Sequence, residues 1–166
     1  MKEFTPQNHR EIKFLDNNKT IFLGGTIDNG ISANWQSHIV SALSDCDVDI
    51  YNPRNKNWDI THNPSDLRNS VLISQIEWEL FYLQEVKINL FWFEPNSKSP
   101  ITLMELGLIL GLSRAERPNK HIVIYCSPEF YRFVNVVITA KEIAGITVIT
   151  DKTKVVDKLK EILNAK

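Results

Sequence analysis

Glu105 is the residue whose surroundings most need a chemical reason. In Ile101-Thr102-Leu103-Met104-Glu105-Leu106-Gly107-Leu108-Ile109-Leu110-Gly111-Leu112 it is the only charge, in a helix apolar on nearly every face. Such a helix is a buried one, and an isolated carboxylate withdrawn from water must be paired, protonated or kept for chemistry. A position near a helix start also suits a carboxylate, but that dipole benefit is small beside the cost of desolvation. A second signal lies in Gln75-Ile76-Glu77-Trp78-Glu79. Gln75, Glu79 and Tyr82 project from one side of a helix, whereas Glu77 points to solvent. If that side turns toward Glu105, two carboxylates meet in one pocket. Such a pair has its pKa values pushed apart and suits a nucleophile working beside an acid or base.

Other candidates carry less information. Gly24-Gly25-Thr26 lets a ligand or another backbone come close, but it fits neither the dinucleotide fingerprint nor a P-loop, and a plain strand end also explains it. Asn52-Pro53-Arg54 sets an arginine just past a strand end, where it would hold a phosphate or carboxylate by two hydrogen bonds, or form a surface ion pair. Trp35, Trp58, Trp78, Trp92 and Phe93 offer flat surfaces for stacking on a base, most of them being expected in the core. His9, His38, His62 and His121 show no metal-ligand spacing, and Cys46 and Cys126 are far apart. No metal or organic cofactor is expected.

The elements that must position these residues alternate between strand and helix. Thr20–Leu23, Val48–Tyr51, Ile88–Phe93, His121–Cys126 and Thr147–Thr150 read as strands. Trp35, Ile39 and Leu43 mark one helical face, and Leu72, Ile76, Leu80 and Leu83 another in a helix from Leu67 to Glu85, with Ser65 as its N-cap. Ser99 and Pro100 read as N-cap and N1 of the Glu105 helix. Further helices are expected near 128–144 and over 154–165. The alternation predicts an α/β fold, a five-stranded parallel sheet in the flavodoxin-like order 2-1-3-4-5 with helices on both faces. Its ligand crevice lies where strand order reverses, between the first and third strands in the sequence. Residues 1–18 read as an N-terminal extension with room for a short edge strand, and 19–166 as one domain.

The totals agree. The chain has 166 residues, 43% hydrophobic and 23% charged, with a net charge of -1 from 19 basic and 20 acidic residues. That balance argues against a nucleic-acid polymer as partner, because phosphate binding calls for a basic excess. No apolar run is long enough to span a membrane and no secretion signal opens the chain, so a cytoplasmic location is expected.

Together, Phe22-Leu23-Gly24-Gly25-Thr26, Tyr51-Asn52-Pro53-Arg54, Gln75 to Glu79, Phe91-Trp92-Phe93 and Ile101 to Gly107 resemble the nucleoside 2-deoxyribosyltransferase-like family, over about residues 19–150. The resemblance implies cleavage of the N-glycosidic bond of a deoxynucleoside and transfer of the sugar to another base. Glu105 matches the family nucleophile, which forms a covalent deoxyribosyl-enzyme. Glu79 matches a carboxylate that helps hold sugar and nucleophile. Asn135 resembles an asparagine donated to the neighbouring subunit's site, implying a homodimer or higher homo-oligomer. The substrate-binding set is then Gly24, Gly25, Thr26, Asn52, Arg54, Gln75, Phe93 and Asn135. Members of the family carry acids just before the nucleophile's helix. Here that stretch is Asn96-Ser97-Lys98-Ser99-Pro100-Ile101, with Glu94 the nearest carboxylate. The alternatives are an N-glycoside hydrolase of nucleosides or nucleotides, and a nucleotide-binding module without activity.

Overall fold

The computed structural model describes residues 1–7, 13, 15, 17–27, 32–55, 63, 65–115 and 120–165. Its strands are β1 (Lys2–Phe4), β2 (Thr20–Gly25), β3 (Asp49–Tyr51), β4 (Ile88–Phe93) and β5 (His121–Cys126). Its helices are α1 (Trp35–Ala42), α2 (Ser70–Glu85), α3 (Pro100–Ala115), α4 (Phe133–Ala144) and α5 (Lys154–Asn164). The sheet is wholly parallel in the order β1-β3-β2-β4-β5. Within it, β3-β2-β4-β5 is the expected doubly wound arrangement, and the fold is flavodoxin-like.

The two edges differ from expectation. Lys2–Phe4 adds to β3 as the edge strand, with Phe4 stacked on Tyr51 at 5.1 Å. On the other side, the strand expected at Thr147–Thr150 shrinks to one bridge between Ile149 and Tyr125. The reason is local. Gly145 ends α4 in the left-handed conformation (φ 65°), Ile146 bonds back to Ala140, and a turn begins at Asp151, so only Ile149 reaches the ladder. Left-handed glycine is a common helix stop.

Strand parity divides the core into two layers. Phe22, Tyr51, Phe91, Phe93 and Ile124 face α2, α3 and α4, while Ile21, Leu23, Leu90, Trp92 and Tyr125 face α1 and α5. Both central strands are buried throughout, as parallel strands covered on two sides must be. The α1 stripe Trp35, Ile39 and Leu43 is buried as its spacing predicts.

The phase and the start of α2 depart from what its apolar spacing predicts. Its buried residues are Trp78, Tyr82 and Leu83, whereas Ile76 is exposed. The aromatic side chains win the inward face because they bury more apolar area than the aliphatic stripe. The helix starts at Ser70, because Asn69, not Ser65, accepts the Leu72 amide at 3.1 Å as N-cap. Its C-terminus has no glycine. Lys120 closes it, donating to the carbonyls of Leu83 (2.9 Å), Gln84 (2.7 Å) and Val86 (3.2 Å), and the buried Asn89 side chain adds a bond to Leu83. A cation suits the negative end of a helix dipole. Among the described residues no helix is long and apolar enough to cross a membrane.

Candidate active site

The reversal of strand order lies between β2 and β4, and α3 begins just beyond the end of β4. On α3, Thr102, Glu105, Leu106, Ile109 and Leu110 are buried, and Ile101, Met104 and Leu108 are exposed. Glu105 therefore sits on the inward face, 7% exposed, above the layer that contains Trp78, Phe91 and Phe93. It makes no hydrogen bond or ion pair with any described residue. Burial pushes its carboxyl up to about 8, and the charge of Glu79 on α2 adds to the effect. Glu79, half-buried, is itself pushed up to about 7 by burial, against a hydrogen bond from Gln75 that lowers it.

Gln75 is fully engaged. Its Nε2 donates to Glu79 Oε1 at 2.8 Å and to the Pro53 carbonyl at 3.4 Å, while its Oε1 accepts from Asn55 at 3.3 Å. It ties the carboxylate of α2 to the loop after β3. Two like-charged groups in a poorly solvated place, with no cation on either among the described residues, favour a state that keeps a proton on the pair. One group ionised and one protonated is the arrangement that nucleophile and acid chemistry requires.

A buried hydroxyl chain lies at the start of α3. Ser99 Oγ is 2.7 Å from Thr26 Oγ1 and 2.7 Å from Ser97 Oγ, and the Glu94 amide donates to Thr26 Oγ1 at 3.2 Å. Ser99 has φ 41°, outside the extended region normal for an N-cap, and its hydroxyl joins β2 to the β4–α3 loop. Its carbonyl still opens the helix by accepting the Leu103 amide. Asn96, with φ 62°, turns the same loop. Thr102, one turn before Glu105 on the same face, is 5% exposed and has no partner among the described residues. Spacing alone could have found it, since positions 102 and 105 share a helical face.

Several expected contacts have structural employment. Gly24 and Gly25 lie within β2, and a Cβ on Gly25 would stand 2.6 Å from Trp35 and 2.6 Å from the Trp92 carbonyl. Their smallness serves the stacked Trp35 and Trp92 rings, 5.1 Å apart and 2° from parallel. Asn52 bonds to Glu3 and to the Arg54 amide. Arg54 donates to the carbonyls of Ser32 (2.9 Å) and Ala33 (3.3 Å) and to Gln36 Oε1 (3.2 Å), locking the approach to α1. Phe93 is sealed against Phe130. Glu94 accepts from the Trp92 indole at 2.8 Å, in the layer opposite Glu105, so it is directed away from the carboxylate pair. Asn135 is exposed on α4. Trp58, His9, His62 and most of the loop after Arg54 lie outside the described residues. Among the described residues no cluster of three His, Cys, Asp or Glu could hold a metal.

None of the curated proteins matches the chain in sequence. The chain is similar in fold to a conserved protein from Enterococcus faecalis V583, whose crystal structure superposes with a TM-score of 0.56 at 12% identity, covering 87% of this chain and 99% of that one. The family model described as nucleoside 2-deoxyribosyltransferase like matches residues 18–130, a span that holds both Glu79 and Glu105. The chain belongs to the nucleoside 2-deoxyribosyltransferase-like family.

Proposed function

We propose that the protein cleaves the N-glycosidic bond of a 2'-deoxynucleoside through a covalent glycosyl-Glu105 intermediate and passes the sugar to a second base. The observation that carries this reading is the burial of Glu105 opposite Glu79 with no cation on either among the described residues. A Glu105 oxygen attacks the anomeric carbon, and the carbon–nitrogen bond breaks with its electron pair going to the base. The base takes up a proton from the carboxyl pair; Glu105 holds that proton more strongly than Glu79, so substrate binding must leave Glu105 ionised and move the proton to Glu79 or the base before attack. An incoming base reverses these steps. The route divides one hard displacement into two easier ones, and the adjacent anion stabilises an oxocarbenium-like transition state. The apolar wall formed by Leu106, Trp78 and Phe91 limits hydrolysis of the intermediate.

Arg54 bears on the nucleotide alternative. With its guanidinium turned to the Ser32 and Ala33 carbonyls, it lends little support to a 5'-phosphate subsite, and the nucleoside is the better substrate. The working unit on this reading is a homodimer. Gly107 and Gly111 are exposed, and a Cβ added at either would meet nothing within 4 Å, beside exposed Ile101, Met104, Leu108, Val134 and Ile138. Helical glycine costs about 1 kcal/mol relative to alanine, and packing within one subunit offers no reason for either. Asn135 is exposed on α4, and on this reading it enters the partner's site.

The test is incubation with a deoxynucleoside, with and without a second free base, followed by chromatography. Base exchange supports transfer, and free deoxyribose supports the hydrolase. No turnover with retained binding supports the inactive module.

A further inference from the structure

Thr102 carries a hydroxyl on a buried residue without a protein partner among the described residues. A hydroxyl that bonds to no protein group, on a residue otherwise 5% exposed, is available to a ligand as donor or acceptor. It lies on the buried face of α3, one turn before Glu105 and one turn after Ser99. Helical side chains lean toward the N-terminus, so the Glu105 carboxylate reaches back toward the turn that holds Thr102. Beyond Thr102 stand the Ser99, Thr26 and Ser97 hydroxyls, with Ser99 Oγ 2.7 Å from each of the other two. The crevice thus has two walls of different chemistry. On the α2 side the Glu79 carboxylate, held by Gln75, suits the hydroxyls of a sugar. On the α3 side, N-terminal to Glu105, stand hydroxyls, which donate or accept as needed and suit a base edge bearing both carbonyl and N–H groups.

We propose that Thr102 is a ligand contact, its hydroxyl bonding the polar edge of the base next to the glycosidic bond that Glu105 attacks. The inference rests on the catalytic reading above for the placement of the sugar. The hydroxyl chain behind Thr102 has no fixed direction, since either oxygen of each pair can donate. It can adapt to an amino or a keto base where a carboxylate would demand a donor.

The experiment separates this inference from the catalytic one. Binding of uracil, cytosine, adenine, hypoxanthine and free deoxyribose is measured by calorimetry on the Glu105→Gln protein, with and without Thr102→Val, which keeps the shape and removes the hydroxyl. The expected result is a roughly tenfold loss of base affinity, the worth of one neutral hydrogen bond, with deoxyribose affinity unchanged and Thr102→Ser restoring the bases. In the parent protein, base addition should shift the Thr102 NMR signals, a readout that does not require the valine variant to fold. Unchanged base affinity, loss confined to deoxyribose, or no base binding by the parent overturns the proposal. Base binding through Thr102 without any cleavage leaves this contact standing and removes the catalytic reading. Normal cleavage of every nucleoside by Thr102→Val does the reverse.

Discussion

The charge of Glu79 raises the proton affinity of Glu105 across the α2–α3 contact, and among the described residues the one hydrogen bond on the pair is donated by Gln75. Neither carboxylate meets a cation among those residues. Burial is the larger cause for both. The pair is thus held apart from the ordinary carboxylate range by the fold, and its chemistry follows from which member keeps the proton.

Glu105→Gln should abolish glycosidic cleavage while the protein still folds. Losing a nucleophile costs several powers of ten in rate. Retention of more than about a tenth of the parent rate in a single-turnover assay would remove Glu105 from the nucleophile's role.

Stability should fall as pH rises through the range of the Glu105 titration. A carboxyl near 4.5 when unfolded and about 8 when folded binds more protons in the native state between those values. Its favourable contribution is complete below about 4.5 and is lost as pH climbs toward 8. Thermal melting between these pH values should show the parent's midpoint declining and the Glu105→Gln midpoint declining less. Parallel curves would mean the group is not desolvated as described.

Gln75→Ala should move the acidic limb of the kcat/KM–pH profile upward. The mutation removes the donor that favours ionised Glu79, so the pair gives up its first proton at higher pH. An unshifted limb with a uniformly lower rate would assign Gln75 to substrate contact instead.

Gly25→Ala should destabilise the fold by about 3 kcal/mol, because its methyl would press on backbone and on a stacked indole, which cannot step aside. Gly24→Ala meets only the Phe91 and Phe22 rings, the nearer at 3.3 Å, and should cost less. Urea midpoints of the two variants check the order.

Gly107→Ala and Gly111→Ala distinguish a dimer from a lone subunit. In a monomer each exchange adds helix propensity and raises the melting temperature. Across a close two-fold contact each weakens association, seen in light scattering. On the shared-site reading, mixing inactive Glu105→Ala and Asn135→Ala proteins restores part of the activity; no rescue despite subunit exchange would refute it.

The sequence by itself determined the strand–helix alternation, the parallel sheet and its reversal point, since these follow from periodicity and from the handedness of crossovers. It also singled out Glu105, because one charge in an apolar helix is visible in composition alone. The α2 register was not legible: Trp78 and Tyr82 displaced the Leu72–Ile76–Leu80 stripe from the inward face, a contest decided by the room each side chain finds against Phe22 of β2 and Tyr51 of β3. Nor did spacing tell that Gly25 makes way for two tryptophans, or that Arg54 serves backbone carbonyls of a loop distant in sequence. Polar groups find partners across the fold, and a glycine or an arginine looks the same in sequence whether it faces a ligand or its own chain. Thr102 belongs to the same class. It became notable only when tertiary packing set it on the buried face one turn before Glu105, its hydroxyl bonded to none of the described residues.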